Sequence, residues 1–151
     1  MVHLHVRSCY TLLKSTVRIQ QLVNSAKQMK MKTIALTDNV MHGARSFYHA
    51  CLKEGLHPIF GLECFCKIDN ELFSFVVLAK DDIGYQNLLK LSTYLCTKEK
   101  VIDLERLGVY SKHCFVISSG DHSKFDEYII EEDEFSMGKY LTLFNDAFED
   151  F

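Results

Sequence analysis

The sequence predicts an α/β fold, and two observations carry that prediction. Short β-rich runs, VHLHV at residues 2–6 and TIALT at 33–37, alternate with stretches whose apolar residues recur at helical spacing, the pattern of linked strands and helices. TIALT is apolar throughout its interior, as a strand covered on both faces requires. The order of elements favours a barrel-like arrangement over an open sheet.

VHLHV reads as the first strand. Ile19, Leu22, Val23, Ala26 and Met29 then recur every three or four residues, which predicts a helix with Ser15 or Thr16 available as its N-cap. TIALT is the second strand. A second helix begins near Gly43 with Ala44, Phe47, Tyr48, Cys51 and Leu52 on one side, and Gly55 sits where a left-handed cap belongs. HPIFGLECFCK (57–67) and ELFSFVVLAK (71–80) are strands that flank Ile68-Asp69-Asn70, a hairpin turn. Pro58 falls at a strand start, where a missing N–H is tolerated. A third helix over 82–97 is expected to bury Leu88, Leu89, Leu91 and Leu95. CFVISS (114–119) is the next strand, and a helix follows in 122–132. No Gly/Ser-rich linker or repeat interrupts the chain, so residues 1–151 are read as one domain.

Nearly half of the residues are apolar, enough for a buried core. No apolar run approaches the roughly 20 residues of a membrane span, and no signal sequence is visible. A soluble, cytoplasmic protein is expected. The six cysteines include no CxxC pair, and Cys64-Phe65-Cys66 lacks a second pair to complete four ligands, so they read as reduced thiols used as small apolar side chains. Residues 126–151 carry nine acids against one lysine, which leaves the first 125 residues at +5. That balance is too small to mark a nucleic-acid surface. The Phe, Tyr and Ile residues of the acidic end are expected to pack it onto the core.

In α/β folds of this kind, chemistry gathers at the C-terminal ends of strands. His5, Asp38 and Glu63 fall there. One imidazole and two carboxylates from three strands could form a zinc or hard-metal site, or each could cap a neighbouring loop. The stretch HLHVRSCY (3–10) sharpens the choice. His3, His5 and Arg7 alternate along it, so the third same-face position holds the side chain least able to bind a cation.

VHLHVRSCYTLL, AKQMKMKTIALTD, GARSFYHACLKEGLHPIFGLE and VVLAKDDIGYQNLLKLS occur in this order. They resemble successive segments of the PHP domain at the N-terminus of bacterial DNA polymerase III alpha subunits, most of all the DnaE-type subunits of low-GC Gram-positive bacteria. The resemblance runs from residue 1 to about 96 and continues through CFVISSGD. It implies a distorted TIM-like (β/α)7 barrel, present here as a partial barrel truncated before its last strands, since related barrels need about 250 residues. Active members hold up to three metal ions and hydrolyse phosphoesters, which in some polymerases supplies 3'-5' proofreading.

The resemblance also assigns positions. The family's His-x-His motif falls on His5 and Arg7, and its following aspartate falls on Lys14. Its Asp-His pair keeps Asp38, and its histidine is either replaced by Asn39 or lost, because TDNVMHG is one residue shorter than the usual family loop. Glu63 matches the family glutamate, Ser74 stands where a histidine is usual, and Asp121 occupies the ligand position after Ser118-Ser119-Gly120. Arginine is donor-only and always charged, so it cannot ligate a cation.

The resulting expectation is that Arg7 and Lys14 form ion pairs with Asp38 and Glu63 in place of metal. No catalytic residue and no bound metal are expected. Were a metal held at all, His5, Asp38 and Glu63 would hold it. The implied function is a scaffolding module of a replicative polymerase. DNA-directed DNA synthesis would belong to the parent protein, with Mg2+ in a palm domain outside this chain. The implied partners are the remainder of the alpha subunit and, through it, the sliding clamp, the exonuclease and DNA. The alternative is an active phosphoesterase or 3'-5' exonuclease using zinc or manganese. An open barrel edge is further expected to make the chain self-associate.

Overall fold

A computed structural model describes residues 2–98, 100–120 and 123–151. Helix α1 (Ile19–Gln28) buries Ile19, Val23 and Ala26 along one face. It starts later than the expected caps because the Ser15 hydroxyl donates to Arg7 O at 3.1 Å. Arg18 takes the N-cap position instead, its N–H bonded to Gln21 Oε1 at 3.3 Å. Strand β1 (Thr33–Leu36) follows, then a 3-10 turn at Met41–Gly43 and α2 (Ala44–Glu54). Gly55 caps α2 at φ 73°, a left-handed conformation that glycine adopts without penalty. Phe47, Ala50 and Cys51 face inward, whereas Tyr48 and Leu52 are exposed.

Strands β2 (His57–Ile68) and β3 (Glu71–Ala79) form the expected antiparallel hairpin. Its two turn residues, Asp69 and Asn70, have φ 50° and 68°, as a tight turn matched to strand twist needs. Helix α3 (Asp82–Thr97) is capped by Asp81, whose carboxylate accepts from Gly84 N at 2.8 Å. Leu88 and Leu91 are buried, but Leu89 lies off the inward stripe and is 40% exposed. Strand β4 (Val101–Asp103), α4 (Leu104–Tyr110), β5 (Cys114–Ser118), α5 (Lys124–Ile130) and α6 (Glu134–Ala147) complete the order.

Among the described residues the strands make one five-stranded sheet, ordered β1-β2-β3-β5, with β4 also paired to β2. The β1–β2 and β2–β4 pairs are parallel; β2–β3 and β3–β5 are antiparallel. Residues 2–6 do not form a ladder strand. They run as an extended segment beside β1, with Ala35 N on His3 O at 3.3 Å and Thr37 N on Val6 O at 2.8 Å. The Thr37 hydroxyl takes the next ladder site, accepting from Val6 N at 2.8 Å. A side chain thus substitutes for the main-chain partner.

The larger core lies on the sheet face formed by Leu62, Cys64, Cys66, Phe73, Phe75 and Val77, covered by α3, α4 and α6. The acidic end packs here, because α6 turns Tyr140 and Phe144 onto that face. Tyr128 and Tyr140 both donate their hydroxyls to Glu71 at the hairpin tip, fastening α5 and α6 to the sheet. A second cluster sits between α1, α2 and β1. All six cysteines are free. Burial pushes the thiols of Cys51, Cys66 and Cys114 up to about 11, 12 and 12 and that of Cys64 higher still, so they stay protonated and packed at neutral pH.

Candidate functional site

Glu63 sits on β2, pointing away from the larger core because side chains alternate along a strand and its neighbours Leu62 and Cys64 belong to that core. Its side chain is only 2% exposed, and a carboxylate so placed needs a partner. Arg7 supplies it. Arg7 Nε donates to Glu63 Oε2 at 2.7 Å and Arg7 Nη2 to Oε1 at 2.6 Å, a two-pronged match of guanidinium and carboxylate. His5 approaches the same carboxylate, with Nε2 3.8 Å from Oε2. Its Nδ1 lies 3.1 Å from Ser119 O, and since a carbonyl only accepts, that nitrogen carries the proton. Burial pushes the Glu63 carboxyl up, but the imidazole of His5 and the guanidinium of Arg7 outweigh it and hold the group at about 2.

Asp38 is held differently from the expected ion pair. Buried at the end of β1, it accepts from Ser8 N at 2.7 Å, Ser8 Oγ at 2.6 Å and Thr11 Oγ1 at 2.6 Å. These donors fix the loop that follows the extended segment. Main chain links the two carboxylates, with Glu63 N on Asp38 O at 3.1 Å. Asp38→Asn replaces one acceptor oxygen with a donor in a site built of three donors. It is expected to destabilise the protein by about 2–3 kcal/mol in urea unfolding, the scale of hydrogen bonds to a buried charge. A loss below about 0.5 kcal/mol, the size of a neutral surface change, would show that the cluster does not hold the loop.

The other expected positions divide. Lys14 is exposed and pairs with neither carboxylate among the described residues; its Nζ lies 5.6 Å from the centre of the Phe65 ring. The loop turns through Leu13 at φ 65°. Asn39 is also exposed. Ser74 is fully buried on β3, opposite Phe65 and so on the Glu63 face of the sheet. Its carbonyl accepts from Ser119 N at 3.1 Å, while its hydroxyl has no hydrogen-bond partner among the described residues. Asp121 lies outside the described residues. Tyr10 packs its ring on Gly43, where an added Cβ would come within 2.9 Å of it.

Sequence reasoning missed Ser8, Thr11, Thr37 and Ser119. The one available signal was the Ser8-x-x-Thr11 spacing straight after a buried segment, a hydroxyl-rich turn of the sort that seeks a carboxylate. Together these residues make a polar core in which both carboxylates are satisfied, while His5 Nε2 and the Ser74 hydroxyl have no hydrogen-bond partner among the described residues. Both Glu63 oxygens accept from Arg7, and the Asp38 oxygens accept from Ser8 and Thr11. Among the described residues no three His, Cys, Asp or Glu side chains are placed to hold a metal ion. Among these residues the Arg7 guanidinium occupies the Glu63 lone pairs that a cation would need.

Residues 3–151 match the family model described as PHP domain. The chain is similar to the DNA polymerase III subunit alpha of Bacillus subtilis, 45% identical over 103 residues, 66% of this chain and 9% of that relative. It is 46% identical to the same subunit of Halalkalibacterium halodurans over 114 residues, 72% of this chain and 10% of the relative. The chain thus spans about a tenth of the length of these curated relatives. Among solved structures, a Bifidobacterium adolescentis protein assigned as a metal-dependent phosphoesterase matches with a TM-score of 0.51 at 15% identity. That match covers 61% of this chain and 32% of the other, and it is a likeness of fold.

Proposed function

This chain belongs to the PHP domain family, and from that premise we propose that it is the PHP module of a DNA polymerase III alpha subunit, with an ion-paired core where active relatives bind metal. The observation that carries this reading is the two-pronged Arg7–Glu63 pair inside the pocket. Fixed positive charge there repels divalent ions and satisfies the carboxylate they would otherwise use. The module is a cytoplasmic scaffold without hydrolytic activity, and primer extension belongs to the parent polymerase. There, Mg2+ would serve the nucleotidyl transfer in a palm domain, and the rest of the alpha subunit is the module's direct partner. Sliding clamp, exonuclease and DNA are reached through that parent.

The test is titration of the purified chain with Zn2+ and Mn2+, together with a phosphomonoester and single-stranded DNA hydrolysis assay. No saturable binding and no turnover above a no-protein control are expected. Metal-stimulated hydrolysis that is abolished in His5→Ala overturns the reading in favour of a working phosphoesterase or 3'-5' exonuclease.

A further inference from the structure

Two turns on this molecule carry opposite charge around exposed apolar side chains. The corner between α5 and α6 presents Ile130, 80% exposed, and Phe135, 85% exposed. Between them run Glu131, Glu132, Asp133 and Glu134. Asp133 serves as the cap of α6, accepting from Ser136 N at 3.0 Å. Glu131, Glu132 and Glu134 make no ion pair among the described residues. Hydrogen bonds tie the corner to the sheet: Asp133 N donates to Tyr128 O at 3.0 Å, and the hydroxyls of Tyr128 and Tyr140 both donate to Glu71.

The second turn ends α1, in the run KQMKMK at 27–32. Met29 is 61% exposed, and Lys30 and Lys32 stand exposed without an ion pair among the described residues. Lys27 is taken by Glu54 at 3.0 Å. Lys30 at φ 58° and Glu132 at φ 57° set the two turns. Within one copy these features sit on separate packed clusters, α1 with α2 and β1, α5 and α6 on the larger core.

We propose that the acidic Ile130–Phe135 corner of one copy docks on the basic Met29 turn of a second copy of this chain. The contact is head-to-tail, because the two surfaces differ. Ionic complementarity around a small apolar centre makes it weak and salt-sensitive. Nucleic acid and anionic membranes are disfavoured as occupants of the corner, since its carboxylates repel phosphate. The inference is independent of the function proposed above.

Sedimentation equilibrium of the 151-residue chain at low and high salt tests it. Self-association is expected at low salt and is expected to fade as salt rises. Lys30→Glu with Lys32→Glu, or Glu131→Lys with Glu132→Lys, should each weaken it about tenfold. Mixing the two charge-reversed proteins should restore association. Phe135→Ser, an uncharged change at an exposed position, should weaken it at either salt. A monomer under all conditions overturns the proposal, as does association indifferent to salt and to these variants, the behaviour of an open strand edge.

Discussion

Arg7→Ala is expected to destabilise the protein by about 3–5 kcal/mol, the cost of leaving a buried carboxylate without its partner. The Glu63 side chain is 2% exposed and that of Arg7 19% exposed, so solvent does little to replace the lost charge. Arg7→Lys keeps the charge but loses the planar fork, and a smaller loss of about 1–2 kcal/mol is expected. Pairing Arg7→Ala with Glu63→Gln should recover part of the loss, since the orphaned charge is then gone.

The acid limb gives an independent reading. Folding lowers the Glu63 carboxyl to about 2, against roughly 4.3 for an unperturbed glutamate. A depressed carboxylate adds stability above the unfolded value, and that stability fades as pH falls from near 4.3 towards 2. The contribution is about 3 kcal/mol at neutral pH. Urea unfolding at pH 7 and pH 3 should therefore show a steep decline in the wild-type chain and a shallower one in Glu63→Gln. Equal slopes would mean that Glu63 is not held as described.

Phe144→Ala is the second large effect, with a loss of about 3–5 kcal/mol expected from the vacated volume and lost transfer energy. Phe144 is fully buried, and its ring lies 5.4, 5.0, 5.2 and 6.1 Å from those of Phe73, Phe75, Phe151 and Phe125. It therefore joins α6 to the sheet and to α5 at once. For a chain of this size the change should lower the thermal midpoint by about 10 °C. Phe144→Leu, which fills most of the space, should lose less than about 1.5 kcal/mol. A comparable drop for both variants would point to ring geometry rather than volume.

Much of the fold was legible because it rests on local periodicity. The hairpin, α2 with its Gly55 cap, and α3 each carry a signal confined to a dozen residues. Helix α6 was hidden because its sequence is apolar on several sides and acid-rich at its ends, so its composition suggested packing but no helical face. Strand β4, three residues long, gave no pattern at all. The alternation of VHLHV is real, but alternation cannot tell a ladder strand from an extended segment that borrows the Thr37 hydroxyl.

The site divides in the same way. Arg7 opposite Glu63 was readable from residue types, since a fixed cation and a carboxylate at strand ends have few other ways to be satisfied. Ser8 and Thr11 on Asp38 were not, because contacts spanning 30 and 27 residues leave no local trace. Lys14 followed the same charge logic as Arg7, but its ammonium lies over the Phe65 ring instead.

The extended segment beside β1 has a consequence for how the molecule breathes. Its main chain meets β1 and Thr37 through isolated bonds, while its side chains Arg7 and Ser8 carry the strongest links to Glu63 and Asp38. Residues 3–8 therefore form a latch that can lift as one unit without unzipping the sheet. The free energy of that local opening is set by ionic contacts rather than by apolar burial, so acid should loosen the latch before it unfolds the domain.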